Sequence, residues 1–149
     1  MITKAQQTRG KKEKPITKAK YRDQIRAILN KAWKVQGEGI RRLGYCVGCG
    51  SSENKLNAGH LVHGGRGKHH TRFIDFNVSL PHPNIFCQCS WCNGGNNPDG
   101  NGQLKRHFLK TYTVEDYDGL RLIKNTKMEV DRLEEAEWIL AETIKRYQK

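Results

Sequence analysis

Four of the five cysteines fall into two C-x-x-C pairs, Cys46 with Cys49 and Cys89 with Cys92. The turn between the members of such a pair brings both thiolates to one side, so each pair can bite one metal ion. Four thiolates in tetrahedral array select zinc. A closed four-sulfur site leaves no open position for a substrate, so this zinc would hold the fold and any reaction chemistry must lie elsewhere. Cys87 stands two residues before Cys89, the wrong spacing for the knuckle, and reads as a free, partly buried thiol. An odd cysteine count without a secretory signal argues against a disulfide framework. The stretch between the pairs is longer than in a simple zinc ribbon, which implies an insertion between two knuckles. That insertion holds His60, His63, His69, His70, Arg72 and Asn84, and Asn93 follows the last cysteine directly.

The elements that must position these groups can be read from periodicity and turn chemistry. Tyr21, Ile25, Ile28, Leu29, Ala32 and Trp33 recur at helical spacing, and Gly37 and Gly39 end the helix. Residues 45–50, YCVGCG, form a tight knuckle. Residues 56–62 and 84–88 read as short strands, and CSWCN opens a helix. Residues 63–72, HGGRGKHHTR, form a Gly-rich basic loop, and GGNNPDGNG is a second loop. Leu104, Phe108 and Leu109 mark a short helix. A long last helix starts from a Thr126/Glu129 capping box and carries Val130, Leu133, Ala136, Leu140, Ile144 and Tyr147 as its apolar stripe. That stripe can pack on this chain's own core or on a partner chain.

The 149 residues suit one domain with a modest core, since 36% are hydrophobic and 28% charged. A small core of this kind gains from a metal staple. Three segments follow: a basic arm over 1–20, a zinc-bound domain with its leading helix over 21–112, and a helical extension over 113–149. Lys and Arg number 27 against 15 Asp and Glu, a formal net charge of +12. Such a balance points to a polyanion, with nucleic acid the first candidate. Arg66, Lys68, His70 and Arg72 in the basic loop are the expected DNA contacts. No apolar run is long enough to cross a bilayer, and no lipidation motif is present. The segment MITKAQQTRGKKEK lacks the apolar stretch of a secretory signal, which predicts a cytosolic protein.

A strand histidine, a loop, an asparagine opening a second strand and an asparagine beside the final C-x-x-C resemble the HNH endonuclease pattern. More narrowly, the chain is similar to the lambdoid phage NinG (Rap) recombination nucleases. The likeness rests on AGHL at 58–61, HTRF at 70–73, NIFCQCSWCN at 84–93 and the Gly100–Asn101 pair, and it covers roughly residues 40–110. It implies an α+β fold: a small zinc-stabilised ββα-metal (HNH) core with flanking N-terminal and C-terminal helices. It implies DNA phosphodiester hydrolysis, with branched recombination DNA such as Holliday junctions or D-loops as substrate, and a homodimer would suit a two-fold junction.

By position, the resemblance makes His60 the general base, because a neutral imidazole can take a proton from water. Asn93 becomes a ligand of a catalytic Mg²⁺ or Mn²⁺ through its amide oxygen. Asn84 braces the loop and keeps His60 oriented, and Arg72 contacts the scissile phosphate. One departure stands out. Many HNH enzymes place an acidic ligand immediately before the base, and here that position is Gly59. Asn57, two residues earlier on the same strand face, is the expected substitute ligand, with Asp75 the next candidate. Two rivals share these residues: an HNH nuclease acting on ordinary duplex DNA, and a non-catalytic zinc-ribbon module that only binds nucleic acid.

Overall fold

Residues 14–63, 71–94, 102–126 and 129–148 are described in a computed structural model. The N-terminal part of the basic arm, most of the basic loop with Arg66, Lys68, His69 and His70, and the Gly100–Asn101 pair lie outside the described residues.

Among the described residues the fold is α+β, with five α-helices and one two-stranded antiparallel sheet. Helix α1 runs Lys18–Arg41, with the Thr17 side chain accepting from the Lys20 backbone N–H at its start. Its apolar stripe buries Ile25, Leu29 and Ala32, with Tyr21, Ile28 and Trp33 packed at the edges. Full burial of each such Leu or Ile side chain contributes about 1.5–3 kcal/mol.

The expected stop at Gly37 and Gly39 does not occur; α1 continues for another half turn beyond them. The reason is tertiary. Helix α5, Leu133–Tyr147, lies along α1, and a Cβ on Gly39 would sit 2.5 Å from the Tyr147 Cβ. The glycine lets the two backbones approach. The Tyr21 hydroxyl accepts from the Leu133 N–H at one end, and Arg42 donates to the Tyr147 carbonyl at the other. The two helices therefore run parallel, and everything between them forms the crossover.

Gly39→Ala should accordingly cost about 1–3 kcal/mol, because overpacking outweighs the roughly 1 kcal/mol gained in helix propensity. Gly37→Ala, whose Cβ would meet only the end of the Arg41 side chain, should be neutral or mildly stabilising. Paired thermal melts check this, and a stabilised Gly39→Ala would contradict the close approach.

The crossover carries the candidate site. Strand β1 is Leu56–His60 and β2 is Ile85–Cys89, paired in register from Leu56 opposite Cys89 to His60 opposite Ile85. Short helix α2, Ser90–Asn93, follows β2 directly. Two single 3₁₀ turns at Phe73–Asp75 and Asn77–Ser79 lie between the strands. Helix α3 spans Gly102–Leu109, and its Leu104 and Phe108 pack with Leu61, Val62, Ile74 and Leu120 in a second core.

The C-terminal third differs from expectation. Helix α4, Val114–Asn125, precedes the last helix and was not marked by the apolar pattern. The real capping box is Thr113 with Asp116: each side chain accepts from the other residue's backbone N–H. Those bonds, the Thr113 backbone N–H above all, hold the Asp116 carboxyl below the usual range. Thr126 closes α4, its hydroxyl donating to the Ile123 carbonyl, so it cannot begin a helix. Glu129 instead forms a backbone bridge with Arg72, and α5 starts at Leu133. The α5 stripe packs on this chain's own α1, burying Ala136, Ile139 and Thr143, while Ile144 stays partly exposed. No described helix is long and apolar enough to cross a membrane.

Candidate metal centre and histidine site

The first knuckle is a turn in which Gly50 donates to the Cys46 carbonyl, and Gly50 takes the left-handed φ of 78° that favours glycine. The Val47 N–H reaches the Cys87 carbonyl on β2, and the Ser90 N–H reaches the Lys55 carbonyl. These bonds dock both knuckles on the two-stranded sheet. The ligand atoms of Cys46, Cys49, Cys89 and Cys92 all lie within 4.8 Å of one another. The Cys49 and Cys89 sulfurs are 3.7 Å apart, close to the edge of about 3.8 Å that Zn–S bonds of about 2.3 Å give a tetrahedron. Backbone N–H groups of Gly48 and Cys92 point at the Cys46 and Cys89 sulfurs.

The electrostatics suit a dication. Burial opposes ionisation of Cys46, but backbone N–H bonds outweigh it and lower the thiol to about 7. Burial pushes the Cys92 thiol up, and the crowding sulfurs of Cys89, Cys49 and Cys46 push it further. Four thiolates cannot share this space without a cation between them, and one zinc ion removes that repulsion. Cys87 is buried and free, and burial raises its thiol as well.

His60 ends β1 with 18% of its side chain exposed. Its Nε2 lies 3.1 Å from Oδ1 of Asp75, and the other carboxylate oxygen accepts from Arg72 Nε at 3.5 Å. The Trp33 ring stacks on the imidazole at 5.4 Å and 16°, and His63 stacks on it at 5.6 Å.

Asn84 is fully buried. Its side chain accepts from the Val62 N–H and donates to the Val62 and Ile74 carbonyls, and its own carbonyl accepts from Leu61. It thereby ties the residues following His60 to the turn that carries Asp75. Asn77 holds the same junction from the other side. Its Oδ1 accepts from the Asn84 and Ile85 N–H groups, its N–H donates to Gln36, and Gln36 donates to the Asp75 carbonyl.

The second face of β1 holds a different set. Alternation sends Asn57 and Gly59 to the side opposite His60. Asn57 pairs with Gln88 across the sheet. Gln88 Oε1 fills the space a Cβ on Gly59 would need, and Asn93 Oδ1 lies 3.2 Å from that point. Gln88 Oε1 is buried without a hydrogen-bond partner among the described residues. Asn93 is exposed at the C-terminal end of α2, not at a helix start; the N-cap of α2 is Cys89. So the four cysteines come together, as do His60, Arg72 and the bracing Asn84, while Asn57 and Asn93 belong to the opposite face of the strand.

Trp33, Gln36, Asp75 and Asn77 complete the histidine site, and motif spacing gives none of them this role. Gln36 carried one signal: a polar residue in register with the buried stripe Ile25, Leu29, Ala32.

No protein-family model, curated protein or solved structure matches this chain.

Proposed function

We propose that this protein is a metal-dependent DNA endonuclease of the HNH type, acting on branched recombination DNA, with a structural zinc in the four-cysteine cluster. The observation that carries the proposal is the placement of His60. It closes the first strand of a β1–β2–α2 unit, partly exposed and hydrogen-bonded to a buried carboxylate, and the same unit carries Asn93 beside the second cysteine pair. His60 accepts a proton from the attacking water. Arg72 lies beside it, where a guanidinium meets phosphate oxygens. The amide oxygens of Asn93 and Asn57, on the strand face that also carries Gln88, are hard donors suited to Mg²⁺ or Mn²⁺. A divalent ion would supply polarisation of the phosphate and stabilisation of the leaving oxygen. Because these amides lie across β1 from His60, the ion and the base would have to meet one phosphate around the edge of β1 that does not pair with β2. The net charge of +12 supplies the attraction to DNA.

Cleavage of a four-way junction, a D-loop and a sequence-matched linear duplex, with Mg²⁺ or Mn²⁺, tests this. Faster cutting of the branched substrates is expected. Equal rates on the duplex would turn the proposal into a general HNH nuclease. DNA binding without product on any substrate would leave a zinc-stabilised binding module.

Asn57→Asp bears on the missing acid. A carboxylate on the face of Gly59 should lower the Mg²⁺ concentration needed for half-maximal cleavage several-fold, since a charged oxygen holds a dication more tightly than an amide does. An unchanged metal titration would remove Asn57 from the ion's surroundings.

A further inference from the structure

Asp75 is the one fully buried carboxylate residue among the described residues, at 1% exposure. Burying a carboxylate is costly unless charged or polar hydrogens meet it. Both of its oxygens are engaged, Oδ1 by His60 Nε2 and Oδ2 by Arg72 Nε. Its backbone is pinned too: the N–H donates to the Arg72 carbonyl and the C=O accepts from Gln36. An ionised carboxylate only accepts hydrogen bonds, so the proton between it and the ring belongs to Nε2. A neutral imidazole with its proton on Nε2 has its lone pair on Nδ1.

From this geometry we infer that Asp75 is the positioning residue of His60, fixing the tautomer in which Nδ1 is the base, and that Trp33 holds the ring plane. The inference rests on the nuclease proposal above for its chemistry but not for its structural test. In the reaction, water gives a proton to Nδ1 while its oxygen forms a bond to phosphorus. The bond from phosphorus to the 3′ oxygen breaks, and that oxygen takes a proton from solvent. The imidazolium so formed faces the Asp75 carboxylate, which stabilises it, and Nδ1 later returns its proton to solvent. Asp75, buried and with each oxygen already hydrogen-bonded, is then placed to orient His60 rather than to ligate the divalent ion.

The structural test is ¹⁵N NMR of the histidine ring in the zinc-bound full chain, assigned by comparison with His60→Ala. The wild type should show the Nε2–H tautomer at His60. In Asp75→Asn, whose amide can turn its NH₂ toward the ring, that preference should weaken or reverse. An Nδ1–H tautomer in the wild type, or an Asp75→Asn spectrum unchanged at His60, would overturn the inference. The functional arm is single-turnover junction cleavage with Mn²⁺. Asp75→Asn should lose at least about 10²-fold in rate, as expected when a base is left in the wrong tautomer, with DNA affinity retained. Trp33→Phe, which keeps a stacked ring, should cleave faster than Trp33→Leu. Wild-type cleavage by Asp75→Asn would also overturn it. A wild-type chain that cuts no DNA would defeat the nuclease proposal instead, and the tautomer would then decide the positioning role alone.

Discussion

Replacing Cys89 by serine is expected to leave a loosely folded chain without zinc. Cys89 is fully buried and its sulfur accepts the Cys92 N–H at the start of α2. Serine is itself a good N-cap, so the helix start survives and the loss falls on the metal. What surrounds the site makes that loss severe. Among the described residues, the buried cluster there consists of Cys46, Cys89 and Cys92, with Leu56 packed against it. Among the described residues, Val47 of the first knuckle packs on the core of Leu104 and Phe108, which is little apolar support for the two knuckles once the ion is gone. Structural zinc contributes about 10–16 kcal/mol to folding in small zinc domains, which matches or exceeds the whole stability of a typical domain, about 5–15 kcal/mol. Cys46→Ser should behave the same way, and Cys87→Ser should retain both metal and fold. Elemental analysis and a thermal melt on the three variants check this. A folded, soluble Cys89→Ser chain with no zinc would show that the cluster does not need a metal.

His60→Ala should lower junction cleavage by about 10²–10⁴-fold, the usual cost of removing a general base, while folding and DNA affinity stay near wild type. The side chain lies outside the cysteine cluster, so zinc should remain bound. Its removal leaves Asp75 with Arg72 as a charged partner, which limits the cost of the buried carboxylate. Gel-shift affinity on a four-way junction and single-turnover cleavage with Mn²⁺ separate the possible roles. Wild-type cleavage would remove His60 from the chemistry. Loss of binding together with cleavage would make it a structural or phosphate-contacting residue. His63→Ala is the control: its ring stacks on His60 but is exposed, so a much smaller effect is expected.

The strands and short helices around the site were legible because they are local. Leu56–His60 and Ile85–Cys89 form close to where the residue types placed strands, and α3 forms around Leu104 and Phe108. Helix α4 was missed because Gly119 and the Asp and Glu of its first turn hide a weak apolar pattern, although the Thr113/Asp116 cap was there to be read. Gly37 and Gly39 misled for the opposite reason. Glycine does weaken a helix, but here contact between α1 and α5 requires the small residue, and that contact joins residues about a hundred positions apart.

The sequence by itself determined the metal cluster and the chemical repertoire. Two C-x-x-C pairs carry their geometry within four residues each, so their convergence needs only that the chain bring two turns together. The net positive charge and the histidine on a short strand are likewise local facts. Tertiary structure decided how those groups are arranged. It placed Asp75 against Nε2 of His60, set Trp33 on the ring, and brought Asn93 to the face of β1 opposite His60. Hydrogen bonds across tens of residues, from Gln36 to the Asp75 carbonyl and from the Asn84 amide to the Val62 carbonyl, fix that arrangement. Such partners are selected by burial, which favours a mate for each polar group in the junction, and no periodicity along the chain records which mate it finds.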